Sequence, residues 1–444
     1  MRHGGRRRRR LRLRTPPSPD RTQDPPARIL LIALPGSYRV HAYLEAARDL
    51  GIGMLVASEG EHSLVPGIGD GLRVDFGDPD AVIAQIVSAH RDRPVAGVVA
   101  TDDGTVEIAN RAAAALGLAH NAPSAARIAR RKDLSRAALA EAGLPVPAAR
   151  RVNLRRPLGS QLAGVEFPCV VKPLALSASR GVIRADDLPG LEAACRRAGA
   201  IARAAAVASI DADERDTLLV ESFVPGPEIA LEGMLEGGEL SVLAIFDKPD
   251  PLDGPFFEET IYVTPSRLPR PVQTLAAERV RAGCAAYGLI EGPVHAELRL
   301  HDGDAWIIEI AARTIGGDCA RLFTFGSGTS LEHLVLQRAL GRAPDVAFRD
   351  SGRAAGVLMI PTPGAGTLRR VEGVMAASRI PGICEVSVTV REGYELTPLP
   401  EGGTYLGFVF ALGDDPAGVE ESLRRARETV RVVVAPSLAV EVAD

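Results

Sequence analysis

Gly292-Pro293-Val294-His295-Ala296-Glu297-Leu298-Arg299-Leu300-His301, then Asp302-Gly303, then Asp304-Ala305-Trp306-Ile307-Ile308-Glu309-Ile310, decides the reading of this 444-residue chain. The first run alternates polar and apolar residues, as a half-buried strand does. Asp-Gly between two such runs is a hairpin signal. The second run is apolar except for Glu309. A carboxylate in an apolar strand is costly unless it is paired or bound to a metal. Two glutamates on adjacent strands offer hard oxygen ligands of the kind Mg²⁺ takes alongside nucleotide phosphates. The plainer alternative pairs the glutamate with Arg299 or Arg313.

Sharing one ion has a geometric consequence. In a regular two-residue hairpin at Asp302-Gly303, Glu297 pairs with Ile308, and Glu309 then faces the other side. A shared metal therefore requires a longer loop or a β-bulge between Glu297 and Glu309. Gly303 is the expected position, as the glycine of a G1 bulge.

Upstream, Phe167-Pro168-Cys169-Val170-Val171-Lys172-Pro173 puts a lysine at the end of an apolar strand. Ser177-Ala178-Ser179-Arg180-Gly181 follows, with small residues whose N–H groups could cradle phosphate. It is not a P-loop. A solvated surface lysine is the plain alternative. Leu218 to Ala230 reads as two strands around a Val224-Pro225-Gly226-Pro227 bend, with Glu221 before it and Glu228 after it. The bend offers backbone groups to a purine edge and Glu228 a carboxylate to ribose hydroxyls. An exposed hairpin fits equally well.

Outside these segments, Ile29 to Leu34, Met54 to Ala57 and Val95 to Ala100 are strand-length apolar runs, alternating with helices at Tyr38 to Leu50, Ala81 to His90 and Val106 to Leu116. That alternation predicts a Rossmann-like domain over 28–125. It lacks G-x-G-x-x-G, so dinucleotide binding has no support. One helix is expected from Ser124 to Ala142. Residues 150–310 read as α+β, with helices near 187–206 and 271–287, and a helix follows at Ser330 to Leu340. Residues 346–444 form a further α+β unit, with strands near 354–360, 383–390 and 404–412 and a helix near 416–430. The whole is an α/β and α+β multidomain protein.

Composition narrows the class. Five scattered cysteines without a C-x-x-C pair argue against disulfides and zinc and for a reducing, cytoplasmic setting. No apolar run nears the ~18 residues of a membrane helix. Residues 1–27 carry nine arginines and five prolines and read as a disordered tail or an upstream extension. Such an arm could touch nucleic acid or anionic lipid. The rest of the chain carries a balance of −11, which argues against nucleic acid as the main partner.

These segments, in this order, resemble the ATP-grasp superfamily over residues 28 to 440, and within it the carboxylate–amine ligases that include bacterial L-amino-acid ligases. The resemblance implies an ATP-grasp domain over 126–345, ATP and Mg²⁺ (or Mn²⁺) as cofactors, and small-molecule carboxylate and amine substrates. A homodimer is compatible with it. It implies that Lys132 and Lys172 bind phosphates, that Ser177, Ser179 and Gly181 belong to the loop closing over them, and that Glu221 and Val224 flank adenine. Glu228 would bind ribose, Glu297 and Glu309 the metal, and Arg313 the transferred phosphoryl group. Lys248 and Arg267 would lie in a substrate-facing stretch. Where the family shows E-x-N-x-R, this chain has Ala311 in place of the asparagine that ligates a second metal. Biotin-carboxylase-like or purine-pathway chemistry, or a non-catalytic ATP-binding module, are the alternatives. A biotin-carrier lysine flanked by methionines is missing.

Overall fold

The computed structural model describes residues 27–59, 70–205, 212–343 and 352–436. The expected tail lies outside them except for residue 27. Four parallel strands open the fold: β1 (Arg28–Ile32), β2 (Gly53–Ser58), β3 (Asp70–Arg73) and β4 (Gly97–Ala100), in the order β3-β2-β1-β4. Helices α1 (Arg39–Asp49), α2 (Pro79–Asp92) and α3 (Asp103–Ala115) alternate with them. Ile29 to Ile32 are fully buried, as expected of a central strand covered on both faces. The sequence reading passed over β3. Asp70-Gly71-Leu72-Arg73 is a mostly exposed edge strand without an apolar signature.

The single helix expected from Ser124 to Ala142 is instead two, α4 (Pro123–Arg130) and α5 (Lys132–Glu141). Arg131 between them is extended, at φ −93° and ψ 109°. Tertiary pairing outcompetes the local helix bond here: the Lys132 N–H donates to the Leu174 carbonyl at 3.1 Å, and the Arg131 guanidinium holds Asp133.

Next come β5 (Ala149–Asn153), α6 (Leu158–Leu162), β6 (Cys169–Pro173), β7 (Ile183–Ala185), α7 (Leu188–Ala204), α8 (Ala212–Asp216) and β8 (Thr217–Ser222). Their strands form an antiparallel sheet, β5-β8-β6-β7, with its own core around Val171, Leu191, Cys195 and Val220. The remaining elements are β9 (Glu228–Glu236), β10 (Glu239–Lys248), β11 (Ile261–Thr264), α9 (Arg270–Tyr287), β12 (Gly292–His301), β13 (Asp304–Ala311), α10 (Arg321–Ser327) and α11 (Leu331–Ala339). After them come β14 (Ala354–Ile360), β15 (Gly366–Glu372), α12 (Val374–Ala377), β16 (Ile383–Val388), β17 (Glu395–Leu396), β18 (Gly407–Gly413), α13 (Pro416–Thr429) and β19 (Arg431–Ala435).

Eight of these strands make one sheet, β13-β12-β9-β10-β11-β14-β18-β16, and β17-β15-β19 make a small one. The division expected at 345/346 falls outside the described residues, and the large sheet continues across it through the β11–β14 pairing. One core joins Ile29, Val40 and Tyr43 to Phe246, Phe323, Leu334, Met359 and Phe410, so the N-terminal domain is packed firmly against the sheet that carries the glutamates. Among the described residues no helix is long and apolar enough to cross a membrane.

Candidate active site

Lys172 lies in β6 and Glu221 in β8, where Val170 registers with Glu221. Lys172, two residues on, therefore shares a face with Glu221. Its Nζ meets Glu221 Oε2 at 2.6 Å, and Arg136 Nε from α5 meets Oε1 at 2.6 Å. All three groups are buried, so the surface-lysine alternative is excluded. Burial opposes ionisation of Glu221, but Arg136 and Lys172 outweigh it and hold its carboxyl at about 2. Two cations share one carboxylate, so this cluster of three carries an excess positive charge, while burial pulls the Lys172 ammonium below its ordinary value. Lys132 opens α5 and hydrogen-bonds the Leu176 carbonyl at 2.7 Å, beside the Ser177–Gly181 loop. Lys132, Lys172, Ser177, Ser179 and Glu221 all line one cavity.

The hairpin carries both expected glutamates to that cavity by a route other than the one expected. Asp302 and Gly303 have φ 50° and 75°, and His301 pairs with Asp304: a regular two-residue type I′ turn. Gly303 is thus not a bulge. The bulge is at Ile308, between Leu298↔Ile307 and Glu297↔Glu309. The extra residue puts Glu309 directly opposite Glu297, on the same face. Arg136 Nη2 donates to the Ile308 carbonyl at 2.5 Å, so the bulge is tied to the Lys172–Glu221 cluster.

The two carboxylates are in different states. Glu297 contacts Lys248 Nζ at 3.1 Å and His295 Nε2 at 3.5 Å. Burial opposes its charge, but Lys248 and His295 hold its carboxyl well below the usual range. Glu309 is half-buried and, among the described residues, has no hydrogen-bond or ion-pair partner. Arg136 and Arg313 attract it at longer range. The alternative pairing with Arg299 or Arg313 is not formed. Arg299 holds Glu228 at 2.9 Å, and Arg313 holds both oxygens of Asp103 at 3.0 Å. Ala311 registers with His295 and is buried.

Glu228, Glu259 and Glu297 converge closely enough to suggest a metal, but Lys248 Nζ already lies among them. Burial disfavours its charge, yet the three acids raise it well above the ordinary lysine value. Lys248 is therefore the internal counter-ion of this trio. It does not line the cavity, and neither does Arg267, which pairs with Asp247 and Glu420. Glu228 uses one oxygen for Lys248 and the other for Arg299. The Val224 carbonyl accepts from Arg299 Nη1 at 2.8 Å. Gly226, at φ 102°, lies so close to β12 that a Cβ there would be 2.1 Å from the Leu300 carbonyl oxygen.

Sequence reasoning missed Asp103 and Arg39, because they come from the N-terminal domain. Asp103 opens α3. Burial opposes its charge, but Arg313 holds its carboxyl below the usual value. Arg39 in α1 donates to the Thr314 hydroxyl at 2.6 Å and to its carbonyl at 3.2 Å. Glu232 pairs with His295 and accepts the Ile315 N–H at 3.2 Å. Burial works against charge on His295, but Glu232 and Glu297 hold it up to about 9. These contacts, from α3, α1 and β9, fix Arg313, Thr314 and Ile315. The cavity, about 690 Å³, reaches from Val224 and Glu228 past Lys172, Glu309 and Arg313 to Tyr262, Met359, Tyr405 and Phe408.

Comparison with known proteins agrees with this geometry. An ATP-grasp domain model matches residues 165–321, an ATP-grasp N-terminal domain model residues 44–120, and an L-amino acid ligase C-terminal domain 2 model residues 358–435. The chain belongs to the ATP-grasp superfamily. Within it, the chain is of the carboxylate–amine ligase type, an ADP-forming enzyme that makes carbon–nitrogen bonds. The crystal structure of an L-amino acid ligase from Bacillus licheniformis superposes with TM-score 0.77 and 25% identity, covering 93% of this chain and all of that one. An uncharacterised protein of Sinorhizobium fredii is 26% identical over 382 residues, 82% of this chain and 73% of that protein. An alanine–anticapsin ligase of Bacillus subtilis is 29% identical over 273 residues, 54% of this ATP-grasp ligase and 56% of that one. The match thus spans about half the length of that curated ligase.

Proposed function

We propose that this ATP-grasp ligase transfers the γ-phosphoryl group of ATP to the carboxylate of one amino acid, and that the amine of a second captures the acyl phosphate. ADP and phosphate are released. The observation that carries this reading is that one cavity gathers Lys132, Lys172, Glu297, Glu309 and Arg313 from four separate segments. A carboxylate is a poor acyl donor because oxide is its leaving group, and phosphorylation replaces it with a good one. Phosphoryl transfer spreads negative charge over the moving group, so positioned positive charge is what the protein must supply.

The residues fit those roles. Lys132 and Lys172 meet the phosphates, with Glu221 and Arg136 fixing Lys172 in place. The Val224–Pro227 bend and Glu228 take adenine and ribose; each oxygen of Glu228 keeps a lone pair beyond its present bond. Glu297 and Glu309, hard oxygen donors on one face with Glu309 unpartnered, fit Mg²⁺ or Mn²⁺ and would hold it. Bound there with the phosphates, the ion supplies charge to the transferred group. Ala311 leaves a second ion without a side-chain ligand at that position. Arg313, oriented by Asp103 through Nε and by the Thr314 carbonyl through Nη1, lines the cavity, where its charge would steady the phosphoryl group. The L-amino acid and alanine–anticapsin ligases among its relatives support amino acids on both sides of the reaction. A panel of amino-acid pairs, assayed for ATP-dependent phosphate release with products identified by mass, tests this. Phosphate release with no amide product from any pair would overturn it.

A further inference from the structure

The Ser177–Gly181 loop is tied to a part of the chain about two hundred residues away. Ala178 and Ser179 both have φ 55°, the left-handed region that non-glycine residues avoid. Such a turn persists when its surroundings over-determine it. Within the loop, the Arg180 N–H donates to the Ser177 carbonyl at 3.3 Å and the Val182 N–H to the Ser179 carbonyl at 3.1 Å. The shortest bond the loop makes comes from the segment 398–403, which supplies two. The Gly181 N–H donates to the Pro400 carbonyl at 2.8 Å, and Arg180 Nε to the Glu401 carbonyl at 3.3 Å. Gly403 packs flat on the loop, where a Cβ would be 2.9 Å from Arg180 Cγ and 3.2 Å from Ala178 Cβ. The Glu401 carboxylate is in turn gripped by Arg197 of α7 through two bonds, at 2.6 and 2.8 Å. Gly403, Thr404 and Tyr405 go on to line the cavity beside Ser177 to Arg180.

We propose that 398–403 is a latch on the phosphate loop, with Glu401 and Gly403 as positioning residues that keep water from the acyl phosphate. This rests on the ligase reading above. When the amine attacks, a carbon–nitrogen bond forms, the acyl carbon–oxygen bond to phosphate breaks, phosphate leaves with the electron pair, and the nitrogen gives up a proton. Water attacking the same carbon breaks the same bond and returns the original acid, so ATP is spent without an amide. A loop that leaves β6 and is also tied to the C-terminal part of the chain stays shut over the intermediate between the two half-reactions. The ratio of phosphate released to amide formed therefore reads the latch directly.

The test uses the full chain and two measurements. Hydrogen–deuterium exchange over residues 177–182 is followed without nucleotide, and phosphate per amide is followed for an amino-acid pair the wild type joins. In Glu401→Ala, exchange is faster and the ratio rises by about two- to fivefold, the range a half-exposed ion pair allows. The reversed pair Arg197→Glu/Glu401→Arg brings both back toward wild type. Gly403→Ala moves both in the same direction as Glu401→Ala without touching a charge. Unchanged exchange in Glu401→Ala and Gly403→Ala overturns the latch, as does a fall in kcat with the ratio unmoved. Absence of amide from the wild type with every pair speaks against the ligase reading instead, and the exchange data still decide the latch.

Discussion

At the scale of single residues, the phosphate end of the cavity depends on a carboxylate shared between two cations. Removing Lys172 leaves Glu221 with Arg136 alone and strips charge from the cavity. Lys172→Ala is expected to raise KM for ATP and to lower kcat by about ten- to a hundredfold, since the charge acts on both ground and transition states. Steady-state kinetics with varied ATP check this; unchanged nucleotide kinetics would remove Lys172 from the site. Glu309 has no hydrogen-bond or ion-pair partner among the described residues and lines the cavity, so its loss costs the fold little. Glu309→Ala should lower turnover on the order of a hundredfold or more with little change in Tm. Near-wild-type phosphate release would contradict the metal assignment. Glu221 sets a pH dependence of stability. Its folded value, about 2, lies below the ordinary 4.5, so its contribution is full above pH ~4.5 and is lost as pH falls toward 2. The stability gap between wild type and Glu221→Gln should therefore be largest at neutral pH, on the order of 3 kcal/mol, and shrink on acidification. Urea titrations at several pH values measure it, and a gap constant from pH 7 to pH 3 would be the contrary result.

At the scale of elements, one inserted residue makes the proposed metal site. The type I′ turn at Asp302-Gly303 alone would leave Glu309 facing away from Glu297, and the Ile308 bulge reverses this by shifting the register once. Arg136 holds the bulge by its carbonyl, which ties α5, β8 and β13 into one unit. Deleting Ile308 should remove the bulge and pair Glu309 with Glu297 in a regular ladder, so the two carboxylates stay on one face while the Arg136 tie to the Ile308 carbonyl is lost, and magnesium-dependent ATP turnover should fall about tenfold without vanishing. Circular dichroism separates this from misfolding, and Arg136→Lys, which keeps the charge but loses the two-directional reach, should lower activity in the same direction. Full activity after the deletion would mean that the Arg136 tie to the bulge contributes nothing to turnover. The break between α4 and α5 follows the same logic. A loop carbonyl and an arginine cluster override a sequence that reads as continuous helix, and Lys132 is left at the start of α5, beside the phosphate loop.

At the scale of the whole molecule, the site is assembled from all three parts of the chain. The core shared by β1, α1, α11, β10 and β14 holds the N-terminal domain firmly enough for Asp103 to orient Arg313 and for Arg39 to hold Thr314. Asp103→Asn should lower kcat at least about tenfold while changing KM for ATP little, because the interaction lost is the aim of a guanidinium at the moving phosphoryl group. It should also cost stability on the order of 1–3 kcal/mol, because Arg313 is left buried without its counter-charge. If kcat holds while only Tm falls, Asp103 is a structural partner and nothing more.

The local rules were enough for much of this protein. Alternating apolar runs and helices gave the parallel N-terminal domain, because strand and helix periods are properties of the chain itself. A lysine ending an apolar strand, a Pro-Gly-Pro bend and a glutamate inside an apolar strand marked three walls of the cavity, because a charge in such a setting requires a partner. Register counting alone required, for a shared ion, a longer loop or a β-bulge between Glu297 and Glu309, and the structure has the bulge. Its position was not legible: nothing local distinguishes Ile308 from Gly303, and the choice rests on Arg136, which lies about 170 residues away. The break at Arg131, the internal counter-ion role of Lys248, the Asp103–Arg313 pair and the hold of Pro400 on Gly181 were equally hidden. Each is a contact between segments distant in sequence, with an energy that exists only once the sheets have stacked and water has been excluded between them.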